Sequence, residues 1–323
     1  MFAFVVRRLI GMVVVLFAIT ILTFLIFFAT PGIDPSRQLA GRNPDPATVA
    51  AVKHQFGLDR PLPIRYALMM KRLFISRDLV SYGNQALEVV PAILDAAPVT
   101  FSLVFGAAML WVIGSIALGL LMVTFKGTFV DPLLMVLALI GISMPVFWLG
   151  EVLNLITQDR LHNTFLFSWV PPLGYTPLTQ NPWQWFLHLI FPWITLSILY
   201  IGFYARVLRA DLLQVQNEDF VRTAKAKGLS PENVLVRHML RTSLITFVSL
   251  FGLDFGVLVG GGALLTEVVF GLPGVGLLTF NALRSLDLPV IMATVMYASF
   301  FVVVANALVD LLYVVLDPRI RKA

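Results

Sequence analysis

Six long, nearly uncharged apolar runs constrain this chain more than any other feature: Leu9–Ala29, Val99–Phe125, Leu133–Ile156, Trp185–Ala205, Leu244–Thr266 and Pro289–Leu316. A hydrocarbon core about 30 Å thick needs about 20 mostly apolar helical residues to cross it, and each run is long enough. The predicted fold is therefore an all-α membrane protein with six transmembrane helices. Composition agrees: of 323 residues, 59% are hydrophobic and 13% charged. Soluble domains average about 45–50% and about 25%, so an ordinary globular chain is excluded, and a disordered one more firmly. With no cysteine, disulfides, thiolate catalysis and cysteine-ligated metals are excluded as well. The first run exceeds a signal-peptide core and lacks a small-x-small cleavage site, so it reads as a retained helix.

Charge placement predicts an orientation. With the N-terminus inside, the cytoplasmic segments hold Arg7 and Arg8, then Lys126, then Arg206, Arg209, Arg222, Lys225, Lys227, Arg237 and Arg241, and finally Arg319, Arg321 and Lys322. The two short outer loops hold only Arg160 and Arg284. By the positive-inside rule both termini are cytoplasmic, and Trp169, Trp183 and Trp185 then fall near the outer interface. The net charge of +5 is mainly an orientation and docking signal, and nucleic acid is not an expected partner.

Two connections are long. In the outer one, Thr30–Pro98, Asp45 and Pro46 start a helix that Gly57 stops, and Pro61–Phe74 forms a second. Ala86–Ala97 reads as an amphipathic helix at the outer surface, carrying Val89, Val90, Ile93 and Leu94 on one side. In the cytoplasmic connection, Arg206–Ser243, a helix over Leu212–Lys227 ends at Gly228, a residue suited to a left-handed C-terminal position. Ser230 and Pro231 start another at once. Phe220, Val221 and Ala224 share one face, flanked by Arg222, Lys225 and Lys227. Such a helix either lies on lipid or fills a partner's groove, and the pattern alone leaves both open.

The run Glu218-Asp219-Phe220-Val221-Arg222-Thr223-Ala224-Lys225-Ala226-Lys227-Gly228-Leu229-Ser230 resembles the signature loop of ABC importer permeases, in particular the oligopeptide/dipeptide branch. Arg7-Arg8-Leu9, Pro31-Gly32, Phe56–Pro61, Pro145–Gly150, Phe270–Gly276 and Asp310–Arg321 resemble that branch too, so the likeness covers essentially the whole chain. Four features depart from it. Arg222-Thr223-Ala224 stands where the wider superfamily has Glu-Ala-Ala, and Thr246 replaces an expected proline. Ile33 is inserted into the outer Pro-Gly-Asp-Pro turn, and Glu151 and Asn154 add polarity to the third span.

The resemblance implies the type I importer permease fold, with residues 1–98 as the first span plus a long extracellular segment. Residues 99–323 would form a five-helix core with its coupling loop at about 206–243. It implies a bacterial or archaeal cytoplasmic membrane location and a second, homologous permease related by pseudo-two-fold symmetry. Two cytoplasmic ATPase subunits or domains and an extracellular substrate-binding protein would complete the importer. The chain has no Gly-x-x-x-x-Gly-Lys-Ser/Thr phosphate loop, so it is expected to bind no cofactor itself, and ATP and Mg would be used by the ATPases. Phe220, Val221 and Ala224 would fill the ATPase groove, with Arg222 and Lys225 at its rim and Gly228 forming the corner. Cargo would be short peptides, with nickel chelates or oligosaccharides as alternatives in the same branch.

Within the spans, Gly252, Gly256 and Gly260 repeat every four residues, a spacing that admits another helix closely. Asp254 points roughly 160° away from that stripe at 100° per residue. It either lines the translocation path or makes a structural hydrogen bond, since a mid-membrane carboxylate needs water or a partner. Glu151 and Asn154 are further path candidates nearer the outer interface. Asn306 and Asp310 are expected to stabilise the cytoplasmic end of the bundle. His162 and His188 lack metal-ligand spacing. An intramembrane enzyme would need paired carboxylates at one depth, and the sole acidic pair, Asp254 with Glu151, sits at unequal depths.

Overall fold

The computed structural model describes residues 2–28, 36, 40, 44–55 and 57–316. Pro31–Pro35, Phe56, Arg319, Arg321 and Lys322 lie outside them, as does the side chain of Asp310. In chain order the helices are α1 (Phe2–Phe28), α2 (Pro46–Gln55), α3 (Leu62–Met70, followed by a π-helical turn over Lys71–Ser76) and α4 (Val89–Thr124). Next come α5 (Val130–Ser143), α6 (Val146–Asn154, extended by a wide turn to Arg160), α7 (Pro182–Val215) and α8 (Asp219–Ala226). The last four are α9 (Pro231–Gly262), α10 (Leu264–Phe270), α11 (Val275–Ser285) and α12 (Leu288–Leu316). Among the described residues the only extended pairing is an isolated antiparallel bridge, Val80 to Glu88.

Among the described residues, five helices are long and apolar enough to cross a membrane: α1, α4, α7, α9 and α12. Two further pairs qualify only when taken together, α5 with α6, bent by 92°, and α10 with α11, bent by 88°. The first bend falls at Met144-Pro145, where proline forces the preceding residue out of the helical region, to ψ 125°. The expected third span is thus a broken one. Likewise, the fifth apolar run is divided near Gly261 (φ 121°), so Leu264–Thr266 belong to α10.

Two expected helices do not stand alone. The amphipathic stretch Ala86–Ala97 is not a separate interfacial helix but opens α4, which continues through Pro98. At 1.5 Å per residue α4 is roughly 54 Å long, well beyond a core about 30 Å thick, so the helix is longer than a crossing requires. Similarly, Pro231 starts a helix that becomes the fifth span without a break, because no glycine or proline interrupts it before Gly252. The connection read as Arg206–Ser243 therefore shrinks to α8 and its two short joints.

Two apolar cores hold the bundle. One joins α4, α7, α8 and α9 around Trp111, Tyr204, Leu208 and Leu212. The other joins α1, the segment before α4, and the start of α12 around Phe24, Leu79, Val89 and Met292. The glycine stripe of α9 lies against α12. A Cβ at Gly252 would come 2.3 Å from Val309, one at Gly256 2.1 Å from Ala305, and one at Gly260 2.8 Å from the Ala298 carbonyl oxygen. Side chains there would force the two spans apart.

Candidate functional site

The short helix α8 ends at a sharp, capped corner. Gly228, at φ 79°, turns the chain out of it, and Ser230 caps the next helix by accepting from the Asn233 backbone N–H at 3.4 Å. A non-glycine residue at such a φ would meet its own carbonyl. Val221 and Ala224 are buried in the chain's own core with Leu212, Val234 and Met239. That corrects the expectation that both enter a partner's groove. A helix of eight residues needs tertiary packing to persist, and these two side chains supply it. Phe220 is 42% exposed at the edge of the same face. Arg222 and Lys225 are exposed on the outward side, Arg222 lying 3.5 Å from Asp219. The surface offered outward is therefore Phe220 with a cationic rim.

At the start of α5, Asp131 accepts two hydrogen bonds from Arg209 of α7, at 2.9 and 2.6 Å. Both side chains are largely buried. The fork geometry fixes α7, and hence the chain entering α8, against the base of the broken span. Asp131 was not among the residues singled out from sequence.

The three candidate path residues do not converge. Asp254 accepts a 2.5 Å hydrogen bond from the hydroxyl of Tyr204 in α7 and is half-buried. Tyr204 itself is fully buried among Trp111 and Phe247, with ring centroids 4.8 and 4.9 Å away. No cation pairs with Asp254 among the described residues. Asn154 is buried, its amide donating to the Val269 carbonyl of α10 at 2.9 Å, so it ties the broken span to α10 rather than opening to a path. Glu151 is exposed. His162 and His188 each place a ring nitrogen on a nearby backbone carbonyl, and no cluster of metal-ligating side chains occurs among the described residues.

A second polar centre escaped the sequence reading. Glu267 of α10 is completely buried, with Thr100 of α4 donating to one carboxylate oxygen at 2.7 Å and the Leu277 N–H to the other at 2.9 Å. Thr100 in turn accepts from the Val275 N–H at 2.9 Å. The carboxylate thus sits on the N-terminus of α11, where unpaired N–H groups and the helix dipole favour negative charge. Glycine is needed around it: a Cβ at Gly274 would come 2.4 Å from the carboxylate and one at Gly276 2.9 Å. The signal in the sequence was the glycine-rich stretch Gly271–Gly276 with an acid four residues before it.

A third clasp holds the segment before α4. Asp287, between α11 and α12, accepts from the Ser81 hydroxyl and from the backbone N–H groups of Tyr82 and Gly83 at 3.1 and 3.2 Å. Burial pushes the nearby Tyr82 hydroxyl up to about 12, against the opposing charges of Arg65 and Arg72.

Comparison with known proteins assigns this architecture. Residues 115–322 match the family described as binding-protein-dependent transport system inner membrane component, and residues 1–104 match the N-terminal part of such membrane components. The chain belongs to this family. A Brucella abortus (strain 2308) protein named for a peptide transport system permease is 34% identical over 321 residues, covering 99% of each chain. The D,D-dipeptide transport system permease protein named in Escherichia coli K12 is 34% identical over 327 residues, covering 97% of this chain and 95% of its own. The glutathione transport system permease protein of Salmonella paratyphi A is 34% identical over 325 residues, covering 99% of each. The chain is thus the multi-pass permease subunit of a binding-protein-dependent ABC importer of the peptide branch, and is not itself an enzyme. As a permease it works with an ATPase and a substrate-binding protein.

Proposed function

We propose that this permease forms half of the translocation pathway for short peptides, both termini facing the cytoplasm, and is driven through α8. The observation that carries the coupling role is the division of α8 into two faces. Val221 and Ala224 fasten it to the spans, while Phe220, Arg222 and Lys225 remain outside. A helix fastened on one side and free on the other transmits a push to α7 and α9 as a rigid lever. Two cytoplasmic ATPases using ATP and Mg would grip it, and a second, homologous permease would complete the path. The peptide cargo rests on the names of the relatives, which are peptide, D,D-dipeptide and glutathione permeases. The segment over residues 30–98 would receive the extracellular binding protein, and Asp254 would face the path with its free carboxylate edge.

Phe220→Asp tests the coupling. It should abolish transport and ATPase co-purification while leaving membrane insertion intact, because Phe220 is not part of the core; unimpaired transport would sink the proposal. Cargo is tested by asking which ligand, with the binding protein, stimulates the ATPase activity of the assembled complex. Stimulation by di- to pentapeptides is the expected result, and stimulation by a metal chelate or oligosaccharide alone would replace it.

A further inference from the structure

A groove of about 570 Å³ runs between α1, the turn after α3, the first turns of α4, and α12. Its walls include Leu16 and Ile19 of α1, Phe74 of the turn, Leu94 of α4, and Met296 and Phe300 of α12. Its volume falls within the roughly 300–1,000 Å³ usual for sites that hold a small molecule. The lining is apolar apart from Arg77 and a few hydroxyls. Arg77 is the one charged lining residue, and it stands where the turn leaves α3, fixed in left-handed backbone (φ 60°, ψ 22°). No carboxylate pairs with it among the described residues, although Asp78 follows it in the chain and Asp95 lies one residue beyond Leu94.

The depth of the groove follows from its walls. Leu16 and Ile19 lie in the middle of the first span and Phe300 midway along the last, whereas Arg77 belongs to the segment outside the spans. Beside Arg77, Phe74 is 59% and Ile75 76% exposed, with the exposed Lys71 on the other side of them. Apolar tips between basic residues are stable at the boundary of headgroups and acyl chains, where the tips enter hydrocarbon and the cations stay with phosphate. The groove therefore starts with a cation at headgroup level and descends as an apolar slot toward the bilayer centre. That sequence of chemistry matches a phospholipid: an anionic head on Arg77 and an acyl chain along Leu94, Met296 and Phe300. Charge complementarity selects a headgroup with net negative charge over a zwitterionic one.

We propose that this groove is a binding site for an anionic phospholipid, in the leaflet that borders the segment between α1 and α4 (the outer leaflet in the orientation given above). The bound lipid would fill the gap between the first and last spans and wedge the turn after α3 against them.

The test uses the assembled importer in membranes of equal phosphatidylglycerol and phosphatidylcholine, each supplied in turn with a photoactivatable acyl chain. Labelled residues are then mapped by peptide mass spectrometry. Phosphatidylglycerol should label the peptides carrying Leu94, Met296 and Phe300 in preference to phosphatidylcholine. Arg77→Gln should cut that preference about fivefold, the factor matching about 1 kcal/mol for one arginine near an anionic surface, without lowering phosphatidylcholine labelling. Ser299→Trp, which fills the slot, should lower labelling by both lipids. Equal labelling by the two lipids in the wild type, or an unchanged preference in Arg77→Gln, overturns the proposal. So does efficient cross-linking of Phe74→Cys or Ser299→Cys to the partner permease, which would give the groove to that subunit. Labelling does not depend on ATPase coupling, so this inference and the role of Phe220 fail separately.

Discussion

Asp254 lies within the fifth span and Glu267 within the bent pair that follows it, and the chain treats these two carboxylates oppositely. Glu267 has no exposed surface and receives donors from Thr100 and Leu277. Asp254 has one donor, Tyr204, and keeps part of its surface open. A buried carboxylate is tolerable only when its lone pairs are occupied, whereas a half-open one is tolerable when water reaches it. The first therefore works as a fastening between α4, α10 and α11. The second retains capacity for another ligand, which is what a path-lining residue requires. An acid within a span is thus not by itself a sign of transport chemistry; the count of donors and the access of water separate the two roles.

The largest expected effect comes from breaking the fastening. Glu267→Ala strands the Thr100 hydroxyl and the N-terminus of α11, and at about 1–3 kcal/mol for each buried group left unpaired the loss should reach about 3 kcal/mol. It is read as a lower thermal unfolding midpoint and less monodisperse protein in detergent. If stability is unchanged, the two acids are not distinguished as described. Next, Gly256→Leu pushes α9 from α12 at Ala305 and should cost about 2 kcal/mol by overpacking, measured in the same assay. Smaller again is the Tyr204–Asp254 bond. A double-mutant cycle of Tyr204→Phe and Asp254→Asn should give a coupling of about 1.5 kcal/mol, while Asp254→Asn alone lowers transport more than stability. Transport at the wild-type rate in Asp254→Asn would remove it from the path.

The smallest effect lies outside the membrane. Asp45 caps α2 by accepting from the Thr48 N–H at 2.9 Å, and its hydrogen bonds to Thr48 hold its carboxyl below the usual aspartate value. A carboxylate whose pKa is lowered on folding stabilises the fold above its unfolded pKa, and that contribution is lost as pH falls through the folded value. Protection of the Thr48 amide, taken relative to its intrinsic exchange rate at each pH, should therefore fall below about pH 4, the range of an ordinary aspartate. Asp45→Ala should remove that protection at every pH. An amide whose exchange ignores both changes is not capped by Asp45.

Much of the site was legible before the fold. The corner at Gly228 and Ser230 follows from left-handed backbone and N-cap chemistry, which are local, and the glycine spacing of α9 follows from helical period. Which side chains of α8 face outward was not legible. Phe220, Val221 and Ala224 share one apolar face, and only the presence of Val234 and Met239 against it assigns two of them to the core and one to the surface. The separate interfacial helix expected at Ala86–Ala97 failed for a related reason. Pro98 reads as a boundary, yet α4 runs through it, its first turns packed into the second core at Val89 and Ile93.

The membrane setting, the long apolar runs, the capped corner and the family could all be read from residues close together in the chain, because hydropathy, caps and motifs are local; where two of those runs break was not among them. Packing of the spans is what gives the acids their donors: Glu267 finds Thr100, Asp287 finds Ser81, the half-buried Asp254 finds Tyr204, and Asp131 finds Arg209. These partners are separated by 167, 206, 50 and 78 residues. No local pattern announces such a pair; the cost of leaving a charge unpaired away from water selects it only once the spans have packed.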